Sequence, residues 1–344
     1  MKKIVINGKF MGERMQGIVR YAREIVTALD QTMEDEEITL LLPPGIKNDL
    51  QLQNIRCVTY GKHKGMLWEQ LDFALYLRKH KDALCVNLCN IAPLFAKPGV
   101  TVIHDIMYRV NPSHYTTFRN RLSRYWHILQ YKMIAKRETQ IITVSEFSKS
   151  EMMKWYPTTK GKINVVANGW QHVLGYQENI QWKKRYPFLK EGEFYFSLST
   201  LSKNKNGKWI IEVAKNNPNA VFAIGGKYYE TEKYITPENV HMLGFISDED
   251  ACALMKHCRA FIHPSLYEGF GIPPLEALAL GAEVIVSNAT SLPEVLGTSA
   301  IYINPYDYDV NIDSLLKQST DNSALDRYSW VKSAEKLRSL LNEY

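Results

Sequence analysis

Short β-branched apolar runs alternate with longer stretches of helical period along nearly the whole chain, in two successive series. A short apolar run bounded by turn residues fits a strand buried on both faces, and the helical stretches between supply the crossovers that a parallel sheet needs. In the first series the strand candidates are 3–7, 38–42, 84–88, 100–104, 140–144 and 163–166, with helices at 19–29, 68–79, 115–136 and 148–155. In the second, strands are expected at 195–198, 221–224, 240–243, 260–263, 283–287 and 300–303, and helices at 208–215, 248–256 and 274–280. The expectation is an α/β chain with two Rossmann-like parallel-sheet domains facing across a cleft. An N-terminal domain covers 1–172, a polar, proline-containing linker covers 173–192, and a C-terminal domain covers 193–327, leaving 328–344 as a terminal helix. Ligands of such sheets sit beyond the carboxyl ends of the strands. Neither series carries G-x-G-x-x-G between its first strand and first helix, and Ile224-Gly225-Gly226 is too short for a dinucleotide fingerprint.

At 344 residues, 45% hydrophobic and 23% charged, the chain has apolar material for two cores of roughly 150 residues each and is neither disordered nor fibrous. No run approaches the roughly 18 apolar residues of a membrane span, and Met1-Lys2-Lys3 is followed only by Ile4-Val5-Ile6 before Asn7-Gly8. Neither a signal peptide nor a transmembrane helix is expected. The five cysteines are odd in number and sparse, and Cys85 and Cys89 have no second pair at metal-ligand spacing, so buried thiols in a reducing cytoplasm are expected. The charge is uneven: 25 Lys and Arg face 15 Asp and Glu up to residue 172, and 17 face 21 beyond it. A basic surplus confined to one half draws polyanions to that half.

The segment from His263 to Gly281 holds the most chemistry. A strand ends near His263, a glycine-flanked turn lets the backbone approach a ligand, and Pro273-Pro274 pre-set a helix that Gly281 closes. Such a turn aims backbone N–H groups and the positive end of a helix at an anion or at sugar oxygens. Glu268 and Glu276 flank it, each with two acceptor oxygens suited to vicinal hydroxyls. The E-x7-E spacing around Gly269-Phe270-Gly271, followed by Glu276-Ala277-Leu278-Ala279, resembles the retaining GT-B glycosyltransferases of family 4, the group 1 glycosyl transferases that include bacterial mannosyl-, rhamnosyl- and other hexosyltransferases.

That resemblance implies the GT-B fold, a nucleotide-sugar donor and transfer with retention. It implies that Glu276 binds the donor ribose, that Glu268 lies beside the donor hexose, and that the amides of Gly269, Phe270 and Gly271 hold its hydroxyls. In 199–206 the Lys205-Asn206 pair matches the family's cation on the donor diphosphate, with Thr200 on the donor side. The family's further arginine is absent at Thr200 and Asn204, and Lys203 is the cation expected in its place. A fixed ammonium there would stabilise the leaving diphosphate, so no metal and no other cofactor is expected. His104-Asp105, at a strand end, resembles the family's His-Asp element; His104 is implied in catalysis and Asp105 on the acceptor side. Gly17-Ile18-Val19-Arg20 resembles the glycine loop and first helix of branches using hexose or deoxyhexose donors, with Gly17 near the diphosphate and Arg20 towards the acceptor. Further matches are 143–148, Asn168-Gly169 and 291–295, although Trp170 and Gln171 replace the usual Val-Asp after Asn-Gly. The terminal helix 328–344 is expected to cross back to the N-terminal domain.

The reading is a cytoplasmic glycosyltransferase of the hexosyltransferase class, peripheral at the inner face of the cell membrane, that moves a hexose or deoxyhexose from a nucleotide sugar to a lipid-linked glycan or polysaccharide acceptor. Alternatives of the same architecture are a sugar-nucleotide epimerase, a glycan phosphorylase and a non-catalytic nucleotide-sugar-binding subunit. The stretch 118–136 places Phe118, Leu122, Tyr125, Leu129 and Met133 on one stripe with Arg121, Arg124 and Lys132 on its flank. This is read either as a solvated charged face or as a patch towards an anionic membrane surface. Nucleic acid is not an expected partner, because no binding module accompanies the charge.

Overall fold

The computed structural model describes residues 2–198, 202–226 and 235–343. The chain forms two compact units, one of Met1–Gly169 with Trp330–Tyr344 and one of Trp170–Ser329. Both are α/β units built on fully parallel sheets.

In the first unit β1 (Lys3–Asn7), β2 (Glu37–Leu42), β3 (Arg56–Thr59), β4 (Leu84–Asn87), β5 (Val100–Val102), β6 (Gln140–Thr143) and β7 (Ile163–Val165) form a sheet of order β3-β2-β1-β4-β5-β6-β7. Ile4 of β1 aligns with Ile38 on one side and Leu84 on the other. The chain order reverses between β1 and β4, the place where an open sheet of this kind leaves its crevice. Strand β3 has no counterpart in the expected elements. Arg56-Cys57-Val58-Thr59 is a half-exposed edge strand with too little apolar patterning to stand out. It is led into place by Asp30, whose carboxylate accepts the N–H groups of Gln53, Asn54 and Ile55 at 2.8, 2.8 and 2.6 Å.

Three long helices precede the terminal one in this unit. The first, α1 (Gly17–Thr32), buries Tyr21, Ile25 and Leu29. The second, α2, runs continuously through Gly65–Leu67, a π-type turn at Trp68–Phe73 and Ala74–Lys79. The third, α3 (Phe118–Arg137), begins at Thr117, whose side chain accepts the Asn120 N–H. The terminal helix, Trp330–Asn342, packs on α1. Trp330 meets Tyr21 edge-on at 6.0 Å, and the Ser333 hydroxyl donates to the Ala167 carbonyl at 2.8 Å.

The π-type turn has a visible local cause and consequence. It carries Glu69 inward to the carboxyl end of β1, where Asn7 donates to Glu69 Oε1 at 2.8 Å and to Asn87 Oδ1 at 3.2 Å. Lys9 reaches Glu69 Oε2 at 2.9 Å, with Glu13 Oε1 at 3.4 Å on its other side. A buried carboxylate is tolerable only with such partners, and removing it leaves the buried Asn7 amide and the part-buried Lys9 ammonium under-satisfied. Glu69→Ala is therefore expected to cost about 3 kcal/mol of stability, read from the urea midpoint at constant m. A shift of a few tenths of a kcal/mol would mean that the network contributes nothing net.

The second unit contains β8 (Phe194–Leu198), β9 (Val221–Gly225), β10 (Val240–Gly244), β11 (Ala260–His263), β12 (Val284–Ser287) and β13 (Ile301–Ile303) in the order β10-β9-β8-β11-β12-β13. Its core joins Tyr195, Phe222, Ile262 and Ile285 to Trp209, Ile210 and Val213 of α4 (Gly207–Asn216). The stretch 173–192, expected as a linker, instead belongs to this unit. Trp182 is buried and stacks on His257 at 5.3 Å, and Gly192 N–H donates to the His257 carbonyl at 2.9 Å. The polar residues that give this stretch the look of a linker coat a segment anchored by the buried Val173, Trp182, Tyr186 and Leu189.

Candidate functional site

Strand β11 delivers His263 to the carboxyl edge of the second sheet, beside β8 at that sheet's own reversal of strand order. The loop after it is held against the turn Lys203–Lys205 by the turn's own asparagines. Asn204 donates to the Tyr267 carbonyl at 2.8 Å and accepts the Leu266 N–H on its backbone at 2.8 Å. Asn206, left-handed at φ 52°, donates to the carbonyls of Pro264 and Pro305 at 3.1 and 2.9 Å and opens α4.

This clamp brings Lys205 to Glu268. The ammonium lies 2.6 Å from Glu268 Oε1, and His263 Nε2 lies 2.9 Å from the same oxygen, with Ser265 Oγ 3.1 Å from that nitrogen. Among the described residues only Oε1 of Glu268 is engaged. Burial by itself would push the Glu268 carboxyl up, but the Lys205 charge and the His263 hydrogen bond outweigh it and hold the group well below the usual carboxylate range. Burial pushes His263 down against the pull of Glu268. A neutral imidazole donating its Nε2–H to a fixed carboxylate satisfies both tendencies.

Past Glu268 the chain turns through Gly269, Phe270 and Gly271 into α5 (Ile272–Ala279). Gly271 sits at φ 96°, and a Cβ there would lie 2.6 Å from the Leu292 side chain, so this position demands glycine on both counts. Ser291 ties the turn by donating to the carbonyls of Glu268 and Phe270 at 3.0 and 3.1 Å, and Thr290 Oγ1 accepts the Glu268 N–H at 3.1 Å. The Phe270 ring is buried and meets Tyr328 edge-on at 5.1 Å. As an expected donor-binding residue it can therefore contribute its backbone only.

Glu276 lies in the second turn of α5 and is buried, with Oε1 2.6 Å from His172 Nε2. Sequence reasoning misses His172, because the expected boundary assigns it to the N-terminal domain; the structure puts it in the second unit, in the short turn Gln171–Gly175. Asn168-Gly169, the matched stretch just before it, is the nearest sequence signal. Lys203 is exposed on the turn that carries Lys205. Thr200, also expected at the donor, lies outside the described residues.

In the first unit, Gly17 is the exposed first residue of α1 and Arg20 follows one turn on, half-buried. His104 follows β5 and is buried: its backbone N–H donates to Asn90 Oδ1 at 2.7 Å, its Nε2 lies 2.9 Å from the Leu88 carbonyl, and its ring meets Tyr21 edge-on at 4.8 Å. Only an N–H can bond a carbonyl, which assigns the proton to Nε2. Asp105 Oδ1 accepts the Met107 N–H at 2.8 Å. The chain contains two Asp-x-Asp triplets, Asp248-Glu249-Asp250 and Asp307-Tyr308-Asp309. Asp250 is buried on Arg185 at 2.6 Å and Asn179 at 2.6 Å, and the Asp307 carboxylate accepts the Asp309 N–H at 3.1 Å. Both roles are structural. No cluster of three or more His, Cys, Asp or Glu side chains suited to a metal occurs among the described residues.

Comparison with known proteins bears on this arrangement directly. Residues 178–337, which contain Lys205, Glu268 and Glu276, match the family described as Glycosyl transferases group 1. That stretch is a group 1 glycosyl transferase domain, and the protein is a glycosyltransferase. It is similar to O-antigen chain mannosyltransferase B of Escherichia coli, with 26% identity over 341 residues covering 90% of this chain and 88% of the relative. It is also similar to O-antigen chain mannosyltransferase RfbU of Salmonella typhimurium, at 25% identity with 88% and 87% covered. Among solved structures, Anabaena HepE in complex with UDP and glucose shares the fold, with a TM-score of 0.72, 19% identity and both chains covered in full. The fold class of this glycosyltransferase is GT-B.

Burial pushes the His104 imidazole down to about 4 from 6.5, the bond to Leu88 offsetting only part of the loss. The unfolded chain then binds a proton that the folded protein does not, so His104 adds stability above pH 6.5 that is lost as pH falls towards 4. In urea titrations across that window the wild type is expected to weaken by up to about 1.4 kcal/mol per pH unit relative to His104→Gln. Parallel curves for the two proteins would contradict the buried neutral imidazole.

Proposed function

We propose that this glycosyltransferase moves a hexose from a nucleotide sugar to a growing glycan or lipid-linked acceptor, with retention at the anomeric carbon and without a metal. Mannose is the first candidate, because the Escherichia coli and Salmonella relatives matched over nearly the whole chain are named mannosyltransferases. The observation that carries the reading is Lys205 held on Glu268 at the carboxyl edge of β11, with Glu276 buried on the helix that follows. HepE's complexes with UDP and with UDP-glucose are consistent with a nucleotide-sugar donor for this fold.

Each residue then has a chemical task. The Lys205 ammonium meets the diphosphate, whose negative charge grows as the bond from its oxygen to the sugar C1 breaks, so the cation acts most strongly in the transition state. Lys203, on the turn that carries Lys205, serves the donor side, and Thr200 is assigned to the donor by the family resemblance alone. Glu268 keeps Lys205 aimed through Oε1 and offers Oε2 to a hydroxyl of the donor hexose, while Gly269, Phe270 and Gly271 contribute backbone amides. Glu276, steadied by His172, accepts from the ribose. Gly17 lets the chain pass the diphosphate, Arg20 and Asp105 serve the acceptor, and His104 orients the reacting sugar. The acceptor oxygen forms its bond to C1 on the face the diphosphate leaves, and its proton passes to a phosphate oxygen of that leaving group. No enzyme nucleophile is needed.

A panel of GDP-, UDP- and dTDP-sugars tested by thermal shift identifies the donor, since a ligand bound only by the folded state raises its stability. Failure of every nucleotide sugar to raise Tm would sink the reading. With the donor in hand, Glu276→Ala is expected to weaken its binding by about 2 kcal/mol in calorimetry. Lys205→Ala is expected to lower kcat more than donor affinity; an equal loss in both would assign the lysine to ground-state binding. Turnover is expected to survive excess EDTA. A preparation silenced by chelator and rescued by magnesium would overturn the metal-free mechanism.

A further inference from the structure

Strand β11 ends in a buried imidazole to which the chemistry above gives no task. The His263 side chain is 1% exposed, against 14% for Glu268 and 27% for Lys205, so the ring lies beneath the ion pair and the two charged groups form its outer side. It stacks on Phe261, two residues back on the same strand, with ring centroids 6.2 Å apart and planes at 16°. Phe261 in turn meets the buried Phe196 of β8 edge-on at 5.9 Å, so the floor under the ring is aromatic.

The two ring nitrogens are unequally served. Nε2 lies 2.9 Å from Glu268 Oε1 and 3.1 Å from Ser265 Oγ. An ionised carboxylate only accepts, so the proton sits on Nε2 and Ser265 Oγ shares it as a second acceptor. Nδ1 is then a bare acceptor, and it is buried with no hydrogen-bond partner among the described residues. An unsatisfied buried acceptor is a cost that an apolar side chain of similar size does not carry. Glu268 would keep Lys205 after such a replacement, so packing alone favours leucine over histidine at this strand end. What the imidazole supplies and leucine cannot is a neutral N–H on Glu268 Oε1, delivered from a strand rather than from a flexible lysine stem.

We propose that His263 is a positioning residue for sugar transfer, holding Glu268 from beneath while the Lys205 ammonium turns to the donor diphosphate, an assignment that rests on Lys205 meeting that diphosphate. An ammonium shared between a carboxylate and a diphosphate is drawn to the larger negative charge, and more strongly as the bond to C1 breaks. With Lys205 as its sole anchor, Glu268 would be released at that moment. A carboxylate free to rotate misplaces both the hexose hydroxyl on Oε2 and the ammonium on Oε1. His263 is not drawn off in the same way, because burial pushes the imidazole down towards its neutral form against the pull of Glu268. Its bond to Oε1 persists whichever way the lysine leans.

The test compares His263→Leu, His263→Gln and His263→Asn in the full chain. The amide nitrogen of glutamine lies as many bonds from Cα as imidazole Nε2, and that of asparagine as many as Nδ1, so only glutamine restores a donor to Glu268. His263→Leu is expected to lower kcat by about 10²-fold. Its affinity for the free nucleoside diphosphate (GDP, UDP or dTDP, as the sugar panel selects) is expected to stay unchanged in calorimetry, and its Tm to be no lower than that of the wild type. His263→Gln is expected to recover most of the lost kcat and His263→Asn none of it. A leucine variant with wild-type kcat overturns the proposal. So does one whose Tm, diphosphate affinity and kcat fall together, the mark of a packing role. Should the leucine variant not fold, a glutamine variant faster than the asparagine variant supports the proposal and equal rates overturn it. Failure of the donor-site reading shows separately, as a Lys205→Ala enzyme with unchanged kcat, and takes the role of His263 with it.

Discussion

The geometry of the candidate site in the second unit turns on a single carboxylate oxygen. Glu268 Oε1 takes the Lys205 ammonium and the His263 ring at once, and each comes from a different part of the sheet's carboxyl edge. Lys205 rides on the turn after β8, His263 on the last residue of β11, and Glu268 on the loop that leaves it. A buried ion pair is weak evidence of stability by itself, because desolvation consumes most of the attraction. Its use here is geometric. Asn204 and Asn206 pin the lysine turn to the same loop by backbone acceptors, so the ion pair spans a framework already closed and only has to aim the ammonium.

The first unit concentrates polar groups at the equivalent place, the carboxyl edge beside its reversal of strand order, by different means. Asn7, Asn87, Glu69 and Lys9 form a mutually satisfied network, and His104 is held neutral by burial and by the Leu88 carbonyl. Such groups lower no core energy. They are tolerated because strand ends in a parallel sheet leave backbone and side-chain dipoles that something must satisfy. The π-type turn in α2 serves this need, since it brings Glu69 inward while Leu67, Leu71 and Leu75 stay on the outer face.

The parallel sheets are legible in the sequence because their inner strands are continuous apolar runs: β1, β6 and β11 lie where the β-branched runs are. Strand β3 is not, because an edge strand needs few apolar residues and Arg56 to Thr59 is held by Asp30 from another element. The segment 173–192 misleads for a related reason. Its polar composition says nothing of Trp182, whose burial against His257 decides where it belongs. In the site, Lys205, Glu268 and Glu276 can be read from spacing because they lie in contiguous motifs. His172 cannot, because it reaches Glu276 from 104 residues away in sequence through a fold contact that no local pattern encodes.

Periodicity carries a deeper ambiguity, and α3 displays it. An i, i+4, i+7, i+11 stripe of large apolar residues describes a helix face without saying whether that face meets a core or the outside. The residues that decide are the others: Gln130, Tyr131, Ile134 and Ala135 occupy the inward side, with Gln130 and Tyr131 finding room beside Ala92, Ile103 and Ile106. Once that side is filled, Phe118 to Leu129 have nowhere to turn but outward. The absence of any carboxylate from the helix then takes on a meaning that a count of net charge lacks. A surface helix that merely needs solubility mixes both signs, which favours ion pairs at i, i+4. One that exposes leucine and phenylalanine beside arginine and lysine alone gives up those pairs.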